Sequence, residues 1–501
     1  MKKILAATIV VGVFIGGLLF YPKLKYIVND TSASRDDTPS IAVLPFENLT
    51  NDPQLNYFSD GMTEGVLNSL AKLKGLKVSS RNSSFSFRGK RIDVKEVGKQ
   101  LSVNTVLEGS FQIQGEHIRV TAQLINVEDG FHFWSEQFDE KTDDVFALQD
   151  KIASAIAEKL RLTLLSPENV QVLKPAIHKD AYELYLKGRL SLGLGTPTEF
   201  KNAINFFEKA IEADANYASA YAGLADAYNS MGYGSYIAPN EAFIKAKNAA
   251  LKAVALDSAL AEPHASLGFI YFYYDWDWQA AEQEFRTAIG LNPNYALAFE
   301  WYGYYLTAMQ RYDEAMVVFQ KASLLDPLSV PINTDMGFSL YYSGQYDDAI
   351  KRLRNSVQMK PKSVPAHLWL GRTYQQQLKY KEAIKEYKIS LEVATDWPVA
   401  LAAMGNAYGI SGDKAEAENV LKNLQALSLK KFVTSYGIAL VYAGIDDKPK
   451  ALEWLNKAYA EKSHWLVWLK TDPRWNAIRT DIKFGELVTK VGLPNVTAVR
   501  H

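Results

Sequence analysis

A small residue returns at near-constant spacing through the second half of the chain: Gly188, Ala225, Gly268, Gly303, Gly337, Gly371, Gly405 and Ala439, the last four steps being 34 residues each. A second marker follows twelve residues later in the regular units, at Ala315, Ala349, Ala383, Ala417 and Ala451. Four residues beyond it stands a large side chain: Phe319, Leu353, Tyr387, Leu421 and Leu455. No other feature narrows the fold as much, because a fixed period of this length marks a stacked-repeat architecture. Small residues at fixed places let two antiparallel helices approach closely, and the large one, a turn along the same face, fills the space between units. Pro293, Pro327 and Pro361 close several units, since proline lacks the N–H that would continue a helix. The wider first two intervals, 37 and 43 residues, imply insertions.

The unit Tyr302-Gly303, Leu306, Ala315, Phe319, Ala322, Pro327 resembles the tetratricopeptide repeat (TPR), and eight such repeats fit residues 180–461. The resemblance implies an all-α solenoid whose inner surface comes from the first helix of each unit and holds a protein partner. At the matching positions stand Phe269, Phe272 and Tyr273 in the third repeat, Tyr304 in the fourth, and Phe338, Tyr341 and Tyr342 in the fifth. The sixth supplies Arg372, Gln375 and Gln376, and the seventh Asn406. An aromatic patch passing into a polar one is thus expected along a groove suited to an extended peptide or partner helix. The rival reading of each ring is packing between neighbouring helices. A carboxylate-gripping clamp is disfavoured, because the second repeat offers Ala222, Asp226 and Asn229 and no cation.

Ahead of the repeats the texture changes. Ile41 to Phe46 suits a buried strand, Phe58 to Leu73 has helical spacing, Leu76 to Ser80 reads as a strand and Val94 to Leu101 as a helix. Three strand-like runs follow, Thr105 to Gln114, His117 to Val127 and Phe131 to Phe138, with Gly115-Glu116 and Asp129-Gly130 as turns. Asp144 to Leu165 reads as an amphipathic helix. The blocks Ile41-Ala42-Val43-Leu44-Pro45-Phe46, Tyr57-Phe58-Ser59-Asp60-Gly61-Met62-Thr63-Glu64, Val78-Ser79-Ser80-Arg81-Asn82-Ser83-Ser84, Val106-Leu107-Glu108-Gly109-Ser110 and Trp134-Ser135-Glu136-Gln137-Phe138-Asp139 resemble the TolB-like domain that precedes TPR arrays in bacterial proteins. That resemblance implies an α+β domain over 40–165.

Ile4 to Tyr21 carries no charge and is flanked by Lys2-Lys3 and by Lys23 and Lys25, which is near the minimum for a membrane-spanning helix. No small-x-small cleavage site follows closely, so an uncleaved anchor over 1–21 is preferred to a secretory signal. The lysine balance slightly favours an extracytoplasmic body, here the periplasmic side of a bacterial inner membrane. Residues 22–39 and 166–179 read as linkers, and 462–501, with Trp465, Trp468 and Trp475, as a helical cap over the last repeat. The expected architecture is one N-terminal transmembrane helix, an α+β domain and an all-α TPR solenoid.

Catalytic signals are weak. The chain has no cysteine, which removes thiol chemistry and disulfides. The seven histidines are dispersed, and no phosphate loop, dinucleotide fingerprint or nucleophile elbow occurs. Asp60 and Glu64 fit a helix start better than an acid–base pair, with Ser59 or Asp60 as the cap. Arg88-Gly89-Lys90-Arg91 reads as a solvated loop, and Asp275-Trp276-Asp277-Trp278 as a packing or capping turn inside the third repeat. A net charge of −1 recommends no nucleic-acid partner. The expectation is a non-enzymatic, membrane-tethered interaction scaffold without catalytic, cofactor or metal residues and without an evident small-molecule substrate. The alternative is an extracytoplasmic sensory module of a bacterial regulatory system that lacks its own output domain.

Overall fold

In a computed structural model of the chain, residues 38–493 are described, except 51, 53, 54, 74, 91, 142–144 and 161–178. The expected anchor and most of both linkers lie outside the described residues. Among the described residues no helix is long and apolar enough to cross a membrane.

Six strands build the first domain: Ser40–Val43 (β1), Glu47–Asn48 (β2), Lys77–Val78 (β3), Thr105–Gln114 (β4), His117–Asn126 (β5) and His132–Lys141 (β6). They lie in the order β3-β1-β4-β5-β6, with β2 beside β4. β1 runs parallel to β3 and β4, whereas β4, β5 and β6 form an antiparallel meander. The period-two alternation decides which side chains face which layer. Ile41, Val43, Leu107 and Val120 meet Met62 and Leu70 of helix Asn56–Ala71 and Ile152 and Ile156 of helix Val145–Lys159. Ala42 and Val106 point the other way, onto Val97 and Leu101 of helix Val94–Leu101.

The helix expected to be capped by Ser59 or Asp60 begins three residues earlier, at Asn56, and its N-terminus has no side-chain cap. Ser59 and Asp60 are therefore buried a turn inside it. Asp60 pairs with Arg88, so the basic cluster is partly tied down rather than free. Glu64 takes Arg81 at 3.0 Å and Arg189 of the first repeat at 3.2 Å. The short helix Arg81–Phe85, started by the Ser80 hydroxyl accepting from the Ser83 N–H, was not expected from the sequence.

Eight helix pairs follow, from Lys179–Leu194 with Pro197–Ala213 to Ser435–Gly444 with Lys448–Ala460. Helices end at Leu291, Leu325 and Met359, two residues ahead of the three prolines. The small markers are notches for rings of the second helix. A Cβ at Gly303 would stand 2.6 Å from the Phe319 ring, and one at Gly371 the same distance from Tyr387. The turn between paired helices needs a left-handed residue seven places after the marker. Gly344 and Gly412 supply it at no steric cost, while Gln310, Leu378 and Asp446 adopt the same positive φ with a side chain. In the third repeat Trp276 takes this conformation and Asp277 caps the next helix by accepting from Ala280 N–H at 3.1 Å, as the sequence implied.

The two regions interlock, and the described residues from Ser40 onward form one compact unit. Ala181, Tyr182 and Leu186 of the first repeat belong to the sheet domain's core. Asn294, in the loop before the fourth repeat, donates to the Ala71 and Leu76 carbonyls at 2.8 and 3.1 Å and accepts from Val78 N–H at 3.2 Å. Ser83 donates to Asp326 at 2.5 Å and accepts from Leu328 N–H at 3.0 Å. The sheet domain thus touches the solenoid at three places, the helix Lys179–Leu194 and two loops between repeats.

Because Phe319 is fully buried and cannot retreat, Gly303→Ala should cost about 1–3 kcal/mol by overpacking. The expected readout is a lower melting midpoint that Phe319→Leu in the same chain partly restores, since a leucine fills this notch at Leu353. An unchanged midpoint for the single variant would contradict the tight notch.

Candidate functional site

The inner face of the solenoid is where the sequence placed a groove, and all eleven candidate side chains converge there. They do not line an open surface. Phe272, Tyr273 and Tyr341 have no exposure, Phe338 and Arg372 one or two per cent, and Phe269, Tyr304, Tyr342, Gln375 and Asn406 are also buried. Gln376 alone is half-buried. The expectation of an exposed aromatic patch is corrected by what covers it, which is the chain's own C-terminal segment.

That segment runs through two short 3-10 turns, His464–Trp468 and Pro473–Trp475. Trp468 stacks on Tyr342 with centroids 4.6 Å apart and meets Phe338 edge-on at 4.9 Å. His464 packs among Tyr233, Phe243 and Tyr273. Trp465 covers Arg372, whose guanidinium lies 4.3 Å from the Trp369 ring on its other contact and 5.0 Å from Trp465. Trp475 donates to the Tyr436 hydroxyl at 2.7 Å, and Tyr436 donates to Asp472 at 3.0 Å. The superhelix is tight enough to touch across its own turn: Trp397 donates to the Gly234 carbonyl at 3.0 Å, and Trp465 to the Ser235 hydroxyl at 3.3 Å.

The polar candidates serve as connectors between repeats. Gln375 donates to Asn406 at 2.6 Å, Asn406 passes a bond of 2.6 Å to the Leu440 carbonyl, and Tyr387 donates to Gln375 at 3.0 Å. Tyr304 donates to Asp335 at 2.7 Å. Glu300 is a neighbour of Asp335 in this interior: burial and the adjacent acid push the Glu300 carboxyl well up, and burial raises that of Asp335.

Truncating one buried tryptophan costs about 3–5 kcal/mol, whereas a whole domain is stable by about 5–15 kcal/mol. Three such rings make the segment part of the core, not a loosely held ligand. The sequence had placed 462–501 as a cap on the last repeat. Helix Ile482–Val491 does follow the last helix pair, and Trp278 reaches it by donating to the Gly492 carbonyl at 2.7 Å. The stretch before it instead fills the interior. The signal was present in the sequence as three of ten tryptophans within eleven residues, matching an aromatic inner face of the same extent.

Among the described residues no group of three or more His, Asp or Glu could hold a metal ion. Residues 269–326 and 340–407 match family models of the tetratricopeptide repeat. The repeats are tetratricopeptide repeats. Residues 36–155 match the model described as HilA/YgeH-like transcriptional regulator, second domain, a different description from the TolB-like one that the sequence blocks resembled. Over 187 residues, 37% of its length, the chain is 37% identical to a Rhizobium meliloti protein named "Putative adenylate cyclase 3", of which it covers 32%. Over 323 residues, 64% of its length, it is 23% identical to the Transcriptional regulator HilA of Salmonella typhimurium, of which it covers 56%. The chain therefore spans about a third to just over half of these relatives. It is also similar to the solved structure of Pseudomonas aeruginosa PilF, with 20% identity, a TM-score of 0.31, and coverage of 41% of this chain and 93% of that one.

His464 supplies a pH test of the filled interior. Burial holds its ring neutral, lowering its pKa from 6.5 to about 3 against a smaller opposing effect of the Tyr233 backbone. Above pH 6.5 the ring is neutral folded or unfolded. As pH falls towards 3 only the unfolded chain gains the proton, so stability is lost through that window. His464→Phe keeps an aromatic ring and removes this loss. The stability difference between variant and wild type should grow by about 3 kcal/mol between pH 7 and pH 4 in denaturant titrations, and parallel curves would place His464 in water.

Proposed function

We propose that this chain is a non-enzymatic interaction scaffold, tethered to a bacterial inner membrane through residues 4–21, with its body on the periplasmic side. The observation that carries the reading is the interior itself. The inner face of the repeats holds an aromatic-rich polypeptide, the chain's own segment 464–475, by the stacking and edge contacts expected of a peptide-binding solenoid. With that face in use as core, a protein partner is held on surfaces that stay exposed. One such surface is an open concavity of about 930 Å³ beside the fifth and sixth repeats, with Asp347, Lys351, Arg354 and Tyr374 in its lining. Its mixed charge suits a polar protein surface more than a nucleic acid or a single small anion. The family description of residues 36–155 and the regulator and cyclase relatives favour a second reading, a sensory module coupled to a regulatory system.

Each part of the proposal has its own test. Cross-linking followed by purification of the full chain from membranes should retain a partner protein that is lost on Lys351→Glu with Arg354→Glu. Retention in that double variant would move the interface elsewhere. Phe338→Ala should lower the yield of folded chain and so reports on stability instead of binding. Conversion of ATP to cyclic AMP by the purified chain would overturn the non-enzymatic part of the proposal. For the location, alkaline phosphatase fused after His501 should be active, and an inactive fusion would contradict a periplasmic body.

A further inference from the structure

The filled interior contains more hydrogen-bond donors than acceptors. Arg372 and Arg474 are both at least 95% buried, and Tyr341 and Tyr342 equally so. Arg474 is paired: its Nε lies 2.9 Å and its Nη2 2.6 Å from the two Asp472 oxygens, and its backbone N–H adds a third bond at 3.1 Å. Asp472 also accepts from Tyr436. That carboxylate is thus saturated by its own neighbours. What is left over is Nε and Nη1 of Arg372, Nη1 of Arg474, and the hydroxyls of Tyr341 and Tyr342, none of which finds a partner within the chain. Tyr341, Tyr342 and Arg372 all pack on Trp369, the two phenol rings with centroids 5.5 and 5.7 Å from it and the guanidinium 4.3 Å away, and Arg474 joins them through Asp472 and Tyr436, which stacks on the Trp465 ring beside Arg372.

Charge points the same way as hydrogen bonding. Two guanidinium groups face one carboxylate, and the half-buried Arg479, bonded to the Asp472 carbonyl at 2.8 Å, adds another cation at the rim. The two tryptophan faces around Arg372 offset part of the cost of burying it, but they accept none of its N–H bonds in the ring plane. An unpaired buried cation costs several kcal/mol. A water molecule accepts two of these donors at most and brings no charge, so it leaves the excess positive charge unbalanced.

We infer that Arg372, Arg474, Tyr341 and Tyr342 form a binding site for a small monatomic anion of the chloride class, enclosed between the fifth and sixth repeats and the C-terminal segment. A halide accepts several N–H and O–H donors at once and balances the excess charge. Since Arg474 comes from the C-terminal segment and the other three from the repeats, the anion fastens the segment to the inner face.

The test uses the full chain crystallised with bromide replacing chloride, and data collected at the bromine edge. An anomalous peak within hydrogen-bonding distance of Arg372 and Arg474 is the expected result. Density there without anomalous signal would make it water and overturn the assignment. In solution, the wild-type melting midpoint should be higher in sodium chloride than in sodium gluconate of equal ionic strength, and should rise with the logarithm of chloride concentration. Arg372→Met should lose that dependence. Equal wild-type midpoints in the two salts would count against the site, and a bromide peak combined with equal midpoints would mark an adventitious ion only.

Discussion

The stack of Trp468 on Tyr342 joins the two ends of the repeat array's logic. A solenoid of helix pairs is stable through contacts between neighbours, and its concave side ordinarily remains wet. Here the superhelix is tight enough for Trp397 and Gly234, 163 positions apart, to share a hydrogen bond. An aromatic inner face in so narrow a turn must be covered. The segment 464–475 covers it, and rings from the second to the sixth repeats become one core with the tail. The inter-repeat polar ladder through Gln375 and Asn406 and the Asp472–Arg474 pair are buried inside that covered interior.

The sheet domain depends on the same rigidity. It contacts the first repeat through a shared apolar core and the later loops through Asn294 and Asp326. Those contacts are polar and directional, so they need loops held at fixed separation. A solenoid with an empty interior could flex between repeats, and the three docking points would not stay in register. Filling the interior fixes the spacing, and the α+β domain and the repeats then behave as one body. Of the residues that look like a helix start or an acid–base pair, Glu64 takes Arg189 across this junction, and Asp60 takes Arg88 inside the sheet domain.

Period and polarity made much of this legible beforehand. The returning small residues located the eight helix pairs, and three prolines the ends of three helices, because both follow from local sterics. The run from His117 located β5, and a helix stands at Val94–Leu101 where the sequence was read as one. Ser59 and Asp60 misled because a capping residue and a buried polar residue look alike until the partner, Arg88, is placed. Ten of the eleven groove candidates are buried, so the exposure expected of the aromatic patch was misjudged. Whether an inner face is open depends on how far the superhelix closes and on what a distant segment does, and neither is a local property of the repeat. Trp465, Trp468 and Trp475 were visible as an aromatic run, and only the fold shows that they answer Phe338, Tyr342 and Arg372.

The inner face of the repeats is occupied by the chain's own segment. The claim beneath that description is that residues 464–475 are core. Hydrogen–deuterium exchange on the full chain measures it most directly. The account predicts that amides of 466–478 exchange as slowly as those of the first helices of the fifth and sixth repeats, Val330–Tyr342 and Val364–Gln376. Exchange of that segment within seconds, with the repeats still protected, would contradict it and return the inner face to solvent.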